Sequence, residues 1–584
     1  MSQSIHLSRT HALTRLLKRF VPGLLPLVRY QRSDLRHDCI AGCSVAAVAL
    51  PVGIAYAAVA GVPPVYGIYA SLLPLFAYAL FGSSRQLITG PDAATCLMAA
   101  SAIGPLAGGD PQRYMELMIS LTLITGLFNI GFGLCRFGFM ANFLSHPILI
   151  GYLNGVALIV LAGQLPALFG YQGGGGHFGD KLLDFIDKVP ATHVPTLLLG
   201  IVAIGILLGF KRWAPRLPAP LIVAVLGIAA VYLLQLSPKG VAVLGAVPTG
   251  FPSLHLPGFD PARFETLIRH AAGIALISFV SGIMTAKSFA RRNHYPIDAN
   301  QELIAFGVCN IITGLAQGFP VTGADSRTAV NSAMGGRTQL VGIVAGGVIL
   351  LFLLFFTAPL SLLPTAVLAA IIAVSCLGLF DFASLRELYA ASRRELAFSL
   401  VTTASVLYFD VLPAVSFAVM FTFLWLLLAA SHPRDAVLGQ VPGKSTFHSI
   451  ADYPNAITVP GLLIYRFEGN VVFFNSDYFK ERLMCRITAA KTPVKWVVVD
   501  ASPISMIDIT ALHNLIDLTE ELKERGIQFK FARVRRSLRS FFDIHWLKSN
   551  PLINDAPRYD SLDAATEAFV RWEQGTSDTA KAGP

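Results

Sequence analysis

From about Asp38 to His432 the chain alternates long apolar runs with short polar breaks, and beyond Pro433 charges recur every few residues. At about 20 residues per membrane-spanning helix, the first region holds a dozen or more spans. The first half has apolar segments near 38–60, 66–82, 88–104, 114–135, 141–165, 194–210 and 219–236. The second has 265–288, 299–316, 324–334, 338–357, 361–378, 395–409 and 411–431. Seven segments thus stand on each side of a longer polar loop, which predicts fourteen spans. The tail has a different rhythm. Gly461–Phe467, Trp496–Asp500 and Phe529–Val534 are short, apolar and β-branched, as buried strands are. Ser476–Thr488 and Thr510–Arg525 between them have helical spacing, with Gly526 as a stop. Alternating strands and helices predict a small α/β domain.

Composition agrees with a membrane protein. Of 584 residues 54% are hydrophobic and 14% charged, where a soluble domain carries roughly 25% charged residues. The mean hydropathy is +0.60. The net charge of +10 raises the question of nucleic acid. The basic residues sit beside apolar segments, however, so the anionic leaflet of a bilayer is the expected partner and nucleic acid is not. Cys43, Cys96, Cys309 and Cys376 lie in apolar stretches, and no CxxC spacing occurs. They read as core residues, and neither a metal nor a cofactor is expected. Breaks assigned to the cytoplasm hold Arg85, Arg136, Lys211, Arg212, Arg216, Lys287, Arg291, Arg292, Arg337, Arg386, Arg393 and Arg394. External breaks hold Arg113, Lys181, Lys188, Lys239 and Arg263. This asymmetry puts both termini inside and favours an even span count. The basic stretch before Asp38 has no cleavable signal pattern and reads as a cytoplasmic lead-in.

Two segments are unusual for membrane helices. Gly82–Ser101 opens on polar residues and Gly90-Pro91; Gly318–Ala333 carries Pro320, Gly323 and a charged pair. Each contains the third span of its half. Interrupted segments at corresponding positions of two halves point to a transporter's binding site near the bilayer midplane. A helix that starts inside the membrane leaves its first N–H groups unpaired and carries a positive dipole end. Two such ends facing each other would hold an anion. Arg327, next to Ser326, adds a fixed charge whose fork geometry suits oxyanions. The competing view is that Gly and Pro merely kink two helices while Arg327 pairs with Asp325.

Asp92 and Asp325 sit at the two helix starts, where a carboxylate is a favourable cap. Alternatively one of them carries a proton, because a carboxylate beside a bound anion is neutralised on loading. Tyr56, after the helix-breaking Pro51, would supply an aromatic wall or a hydroxyl. Asn154, His146 and Gln164 read as helix–helix hydrogen-bonding residues. Asp298 with Gln301 reads as a capping box, and Glu302 as local structure. His177 follows four glycines and is no metal site on its own.

At 50–71 (LPVGIAYAAVAGVPPVYGIYAS), 81–95 (FGSSRQLITGPDAAT), 298–303 (DANQEL) and 319–331 (FPVTGADSRTAVN) the chain resembles the bacterial branch of the SulP anion transporters. The tail resembles their STAS domain, with DASPISMIDITALHNL at 500–515. The expected division of the chain is a lead-in at 1–37, a transmembrane transport domain at 38–432, a linker at 433–453, a STAS domain at 454–572 and a disordered tail at 573–584. The resemblance implies a seven-plus-seven inverted repeat in which a core domain moves against a gate domain as an elevator. It also implies a homodimer in the bacterial inner membrane. The anion would lie between the third and tenth spans, with Tyr56, Asp92, Ala93, Ser326 and Arg327 as binding residues.

Three departures from the family pattern matter. Ser281 stands where many relatives carry an acidic residue tied to sodium coupling. Asp92 replaces an aromatic residue of the motor-like relative, and Val52 a frequent Gln. The STAS domain would be a regulatory unit with a cytoplasmic protein partner. Thr510 would be its phosphoacceptor, or else a plain first-turn residue beside a capping Asp508. The expected activity is secondary active transport of sulfate or a related oxyanion, proton-coupled or anion-exchanging. The alternatives are a C4-dicarboxylate or bicarbonate transporter, an uncoupled anion channel, and an anion receptor with STAS output. No hydrolytic or redox constellation indicates an enzyme.

Overall fold

The computed structural model describes residues 21–28, 30–142, 146–171, 173, 178–214, 217–245, 248, 250–258, 261–377, 380, 382–409, 411–443, 446–536, 538 and 558–581. His177 and the first twenty residues of the lead-in lie outside them. The chain forms two compact units, Met1–Val419 and Met420–Pro584.

The first unit is helical, and a helix stands at each apolar segment. In chain order these are α1 (Leu35–Val59), α2 (Pro64–Phe81), strand β1 (Thr89–Gly90), α3 (Ala93–Ala107), α4 (Pro111–Leu134) and α5 (His146–Phe169). An amphipathic α6 (Phe178–Lys188) precedes α7 (Val194–Trp213) and α8 (Ala219–Leu234). The second half runs α9 (Pro261–Arg292), α10 (Ala299–Leu315), β2 (Thr322–Gly323), α11 (Asp325–Ala333), α12 (Leu340–Phe355) and α13 (Thr365–Leu377). It closes with α14 (Phe382–Ala391), α15 (Arg393–Phe409) and α16 (Val411–Ser431), in which the division between the units falls. Among the described residues seven helical stretches are long and apolar enough to cross a bilayer.

Helices α4 and α10, one from each half, meet across glycines. A Cβ on Gly307 would sit 2.7 Å from the Gly126 carbonyl oxygen, and one on Gly126 would sit 2.8 Å from that of Gly307. Helices in lipid have no hydrophobic force between them and associate by such close packing of small residues. Between them and their neighbours runs a continuous apolar core in which Tyr78 stacks on Phe306.

Three local readings change. The helix read at 88–104 begins at Ala93, because residues 88–90 are extended and bonded to the other half. The capping box at Asp298 is only half formed: Asp298 accepts from Asn300 and Gln301 N–H, but the Gln301 side chain donates instead to the Phe81 carbonyl at 2.7 Å. Glu302 is not local structure, since its partners lie more than two hundred residues away.

The second unit is an α/β domain. Strands β3 (Asp435–Gln440), β4 (Phe447–Ser449), β5 (Leu462–Phe467), β6 (Trp496–Asp500), β7 (Gln528–Ala532) and β8 (Arg558–Tyr559) form one sheet in the order β4-β3-β5-β6-β7-β8. Pairs β5–β6, β6–β7 and β7–β8 are parallel; β3 joins antiparallel. Helices α17 (Ser476–Thr488) and α18 (Ile509–Glu524) cover one face, and α19 (Leu562–Lys581) covers the other. Two boundaries are therefore corrected. The stretch read as a linker at 433–453 supplies β3 and β4. Asp435 and Gln440 bound a strand whose apolar run is only Ala436–Leu438, and Arg482 and Arg486 pair with Asp435. The tail read as disordered from 573 continues α19 to Lys581, a helix anchored by Phe569 and Trp572 against Trp496.

At the carboxyl ends of β5–β7 the fully buried Asp500 accepts from Arg466 Nε at 2.8 Å and Arg533 Nε at 2.9 Å. Burial works against its charge, yet the two guanidiniums hold the carboxyl below the usual carboxylate range. A depressed carboxylate contributes stability that is present above its unfolded value near 4 and lost as pH falls through the folded one. Asp500→Asn in the full-length protein is expected to cost about 3 kcal/mol, read as faster hydrogen exchange across β6. It should also flatten the acid-side loss of protection below about pH 4 that the unaltered protein shows.

Candidate functional site

The two interrupted segments meet. β1 and β2 pair antiparallel, Thr89 opposite Gly323 and Gly90 opposite Thr322, and the pair is extended by Ala324 N–H donating to the Ile88 carbonyl at 2.8 Å. Side chains satisfy what two-residue strands leave open. Thr328 Oγ1 accepts from Ile88 N–H at 3.0 Å, and Thr322 Oγ1 donates to the Ser278 carbonyl at 2.6 Å. Thr89 Oγ1 donates to the Pro74 carbonyl at 3.0 Å. Asn310 clamps Val321 from both sides, accepting from its N–H and donating to its carbonyl, each at 2.9 Å. Asn331 Nδ2 donates to the Gln86 carbonyl at 2.7 Å.

Two helices leave this crossing. Asp92 is the N-cap of α3, its Oδ2 accepting from Ala94 N–H at 3.2 Å, and the fully buried Ala93 opens the helix. On the other side Ala324 is the N-cap of α11 and makes no side-chain cap bond. Asp325 stands inside the first turn and is not a cap; its carboxylate accepts from Thr285 Oγ1 on α9. The two carboxylates, which look equivalent in the sequence, thus have different surroundings.

Arg327 follows within the same turn and is 1% exposed. Its Nη2 donates to the Pro91 carbonyl, across the crossing, while Nε and Nη1 have no partner among the described residues. No carboxylate forms an ion pair with it among the described residues. The pairing with Asp325 that a purely structural role required is absent. Gly90 makes room for the guanidinium, since a Cβ there would collide with Nη1. Tyr56, buried in α1, lies within electrostatic reach of Arg327, Asp92 and Cys96, and Asp92 within reach of Asp325. Ser326, like Asp325 before it, is exposed.

The structure therefore brings Tyr56, Asp92, Ala93, Asp325 and Arg327 together around two helix N-termini. Thr510 lies in the other unit, exposed at the second position of α18, where Asp508 is the N-cap accepting from Ala511 N–H at 2.8 Å. Sequence reading missed Thr89, Thr322, Thr328, Asn310 and Asn331. The available signal was polar residues in apolar runs, with Thr89-Gly90 and Thr322-Gly323 as matching dipeptides of the two halves. No group of three or more His, Cys, Asp or Glu residues could hold a metal among the described residues. A buried guanidinium with unpaired donors beside two helix starts favours a small oxyanion.

Comparison with known proteins points the same way. Residues 35–402 match the sulfate permease family, and 453–565 match the STAS domain. A probable sulfate transporter of Mycobacterium tuberculosis is 41% identical over 552 residues, covering 94% of this chain and 98% of that protein. A chloroplastic sulfate transporter of Arabidopsis thaliana is 31% identical over 548 residues, covering 89% and 79%. The fold is that of the murine solute carrier 26 member A9 anion transporter in its inward-facing state. The TM-score is 0.88 at 21% identity, over 95% of this chain and 94% of that one. The transmembrane domain of a cyanobacterial bicarbonate transporter aligns with a TM-score of 0.58 at 23% identity, over 67% and 98%.

Gly90→Ala would push a methyl group against the Arg327 guanidinium. A displacement of about 1 Å at such a site is enough to cost up to about a hundredfold. Calorimetric titration of the purified variant with sulfate is expected to show at least a tenfold weaker affinity, with the helical content unchanged.

Proposed function

The chain belongs to the sulfate permease family, and from that premise we propose that it is a secondary active transporter of sulfate or a related oxyanion. The observation that carries this reading is the buried Arg327 with two unpartnered nitrogens between the starts of α3 and α11. An oxyanion seated there takes the free Nε and Nη1 donors and the dipole ends of both helices. Tyr56 closes the site from α1, and Ala93 puts no more than a methyl group beside the backbone that the anion approaches.

Charge balance supports proton coupling. Asp92 lies within electrostatic reach of both Arg327 and Asp325, so a dianion adds two negative charges to a site that already holds two carboxylates and one guanidinium. Taking up a proton at one carboxylate as the anion loads, and releasing it as the anion leaves, keeps the excess small. Ser281 in place of an acidic residue argues against sodium as the coupling ion. Exchange against a second anion would serve the same balance and is the alternative coupling mode.

In this reading the helical unit contains fourteen spans as a seven-plus-seven inverted repeat, with both termini in the cytoplasm of a bacterial cell. The core, carrying α3 and α11, slides against a gate domain, and two copies form a homodimer. The C-terminal unit serves regulation through Thr510 and a cytoplasmic partner.

Purified protein in proteoliposomes, given labelled sulfate under an inward proton gradient, is expected to accumulate it. Fumarate, bicarbonate and chloride serve as competitors, with sodium replaced by potassium as a control. Arg327→Ala should abolish uptake. Asp92→Asn or Asp325→Asn should abolish gradient-driven accumulation, and whichever does so identifies the proton carrier. Current too fast for a carrier would mark a channel, and binding without flux a receptor.

A further inference from the structure

Glu302, in the first turn of α10, is fully buried. Its Oε1 accepts from Ser83 N–H at 2.8 Å, Ser83 Oγ at 2.7 Å and Ser84 N–H at 3.1 Å. Its Oε2 accepts from the Tyr78 hydroxyl at 2.6 Å. No cation pairs with it among the described residues. Four donors, all from the end of α2 and the segment after it, therefore converge on one carboxylate.

That segment, Ser83–Ile88, has no ladder of its own until β1, and buried backbone polar groups need partners from somewhere. The second half of the chain supplies them. Gln339 Nε2 donates to the Ser84 and Leu87 carbonyls at 2.5 and 3.2 Å, Asn331 to that of Gln86, and Thr328 Oγ1 accepts from Ile88 N–H. The Tyr295 hydroxyl accepts from Arg85 N–H at 3.1 Å. Glu302 is the first of these anchors, where the chain leaves α2. The chain runs from them straight into β1, Gly90 and the Pro91 carbonyl that receives Arg327.

We propose that Glu302 is a positioning residue for the anion site: it fixes the register of β1 on β2, and with it Gly90-Pro91 against Arg327, by accepting hydrogen bonds and not by carrying a proton. This rests on the reading that the site between α3 and α11 holds the anion. The donor pattern separates the two roles. Three donors meet one oxygen, a place a carboxamide oxygen can take. The fourth comes from a tyrosine hydroxyl, which can turn to accept from an amide N–H. Glu302→Gln therefore keeps the three contacts at Oε1 and reverses the one with Tyr78, leaving one amide hydrogen and the Tyr78 hydroxyl hydrogen without an acceptor, whereas Glu302→Ala leaves all four buried donors unpaired.

The test compares the unaltered protein with Glu302→Gln and Glu302→Ala at full length. One readout is the KM and pH profile of proton-driven sulfate uptake. The other is hydrogen exchange of the Ile88 and Ala324 amides without any anion. Glu302→Gln is expected to stay within about twofold in KM, with an unchanged pH profile and exchange. Glu302→Ala should raise KM about tenfold and speed exchange at both amides by about tenfold. If Glu302→Ala does not fold, Tyr78→Phe and Ser83→Ala, each removing one donor, should show the same changes to a smaller degree. Loss of proton-driven uptake in Glu302→Gln overturns the proposal, as does unaltered exchange in Glu302→Ala and in the single-donor variants. Because exchange is read without substrate, an unaltered protein that takes up no anion refutes the transport reading and leaves the clamp to be decided separately.

Discussion

Inside a bilayer an extended stretch of backbone has no water to bond to, so it survives only where protein meets each of its N–H and C=O groups. The pairing of Thr89-Gly90 with Thr322-Gly323 answers that requirement, and much of the helical unit is arranged around it. Two strands this short hold little by themselves. Thr89, Thr322, Thr328, Asn310 and Asn331 spend their side chains on neighbouring backbone, so the crossing is rigid although it contains almost no regular structure. Breaking two helices at one point also frees their N-termini, and the device that solves a backbone problem creates an electropositive pocket.

Arg327 shows why that pocket is chemically specific. A buried guanidinium is normally matched by a carboxylate, and here one nitrogen meets the Pro91 carbonyl while the other two have no partner among the described residues. Such an arrangement is costly in apolar surroundings. A site of this kind is most stable when a ligand completes it, which suits a member of an anion-transporting family.

Much of the fold was legible because the membrane imposes a simple rule on sequence: a span is an apolar run of known length. The match of 411–431 with α16 shows how far this reaches, and in the α/β domain helical spacing alone marks Ser476–Thr488 as α17. It failed where local composition is silent. Strands β3 and β4 are short, and α19 continues through residues with no apolar periodicity because its earlier turns are anchored on Trp496. The site was half legible. Gly90-Pro91 and Arg327 stand out in one sequence because glycine, proline and charge are rare among apolar residues. Glu302 did not stand out, since only four residues after Asp298 it looks like part of a helix start, and only the fold reveals that its partners come from the other half. The same holds for Asp325, which shares its sequence setting with Asp92 but meets Thr285 instead of its own helix start.

The long separations within the crossing bear on how the protein is made. Ile88 and Thr328 are 240 residues apart, and Tyr78 and Glu302 are 224. At 5–20 residues per second, the ribosome needs roughly ten to fifty seconds to deliver the second member of each pair. Throughout that interval the third hydrophobic segment is out of the ribosome with its extended portion unmatched. Stable residence of that segment in lipid therefore has to wait for the tenth, and the insertion machinery must shelter it meanwhile. A chain truncated before Thr322 would be recognised by its unfinished third span.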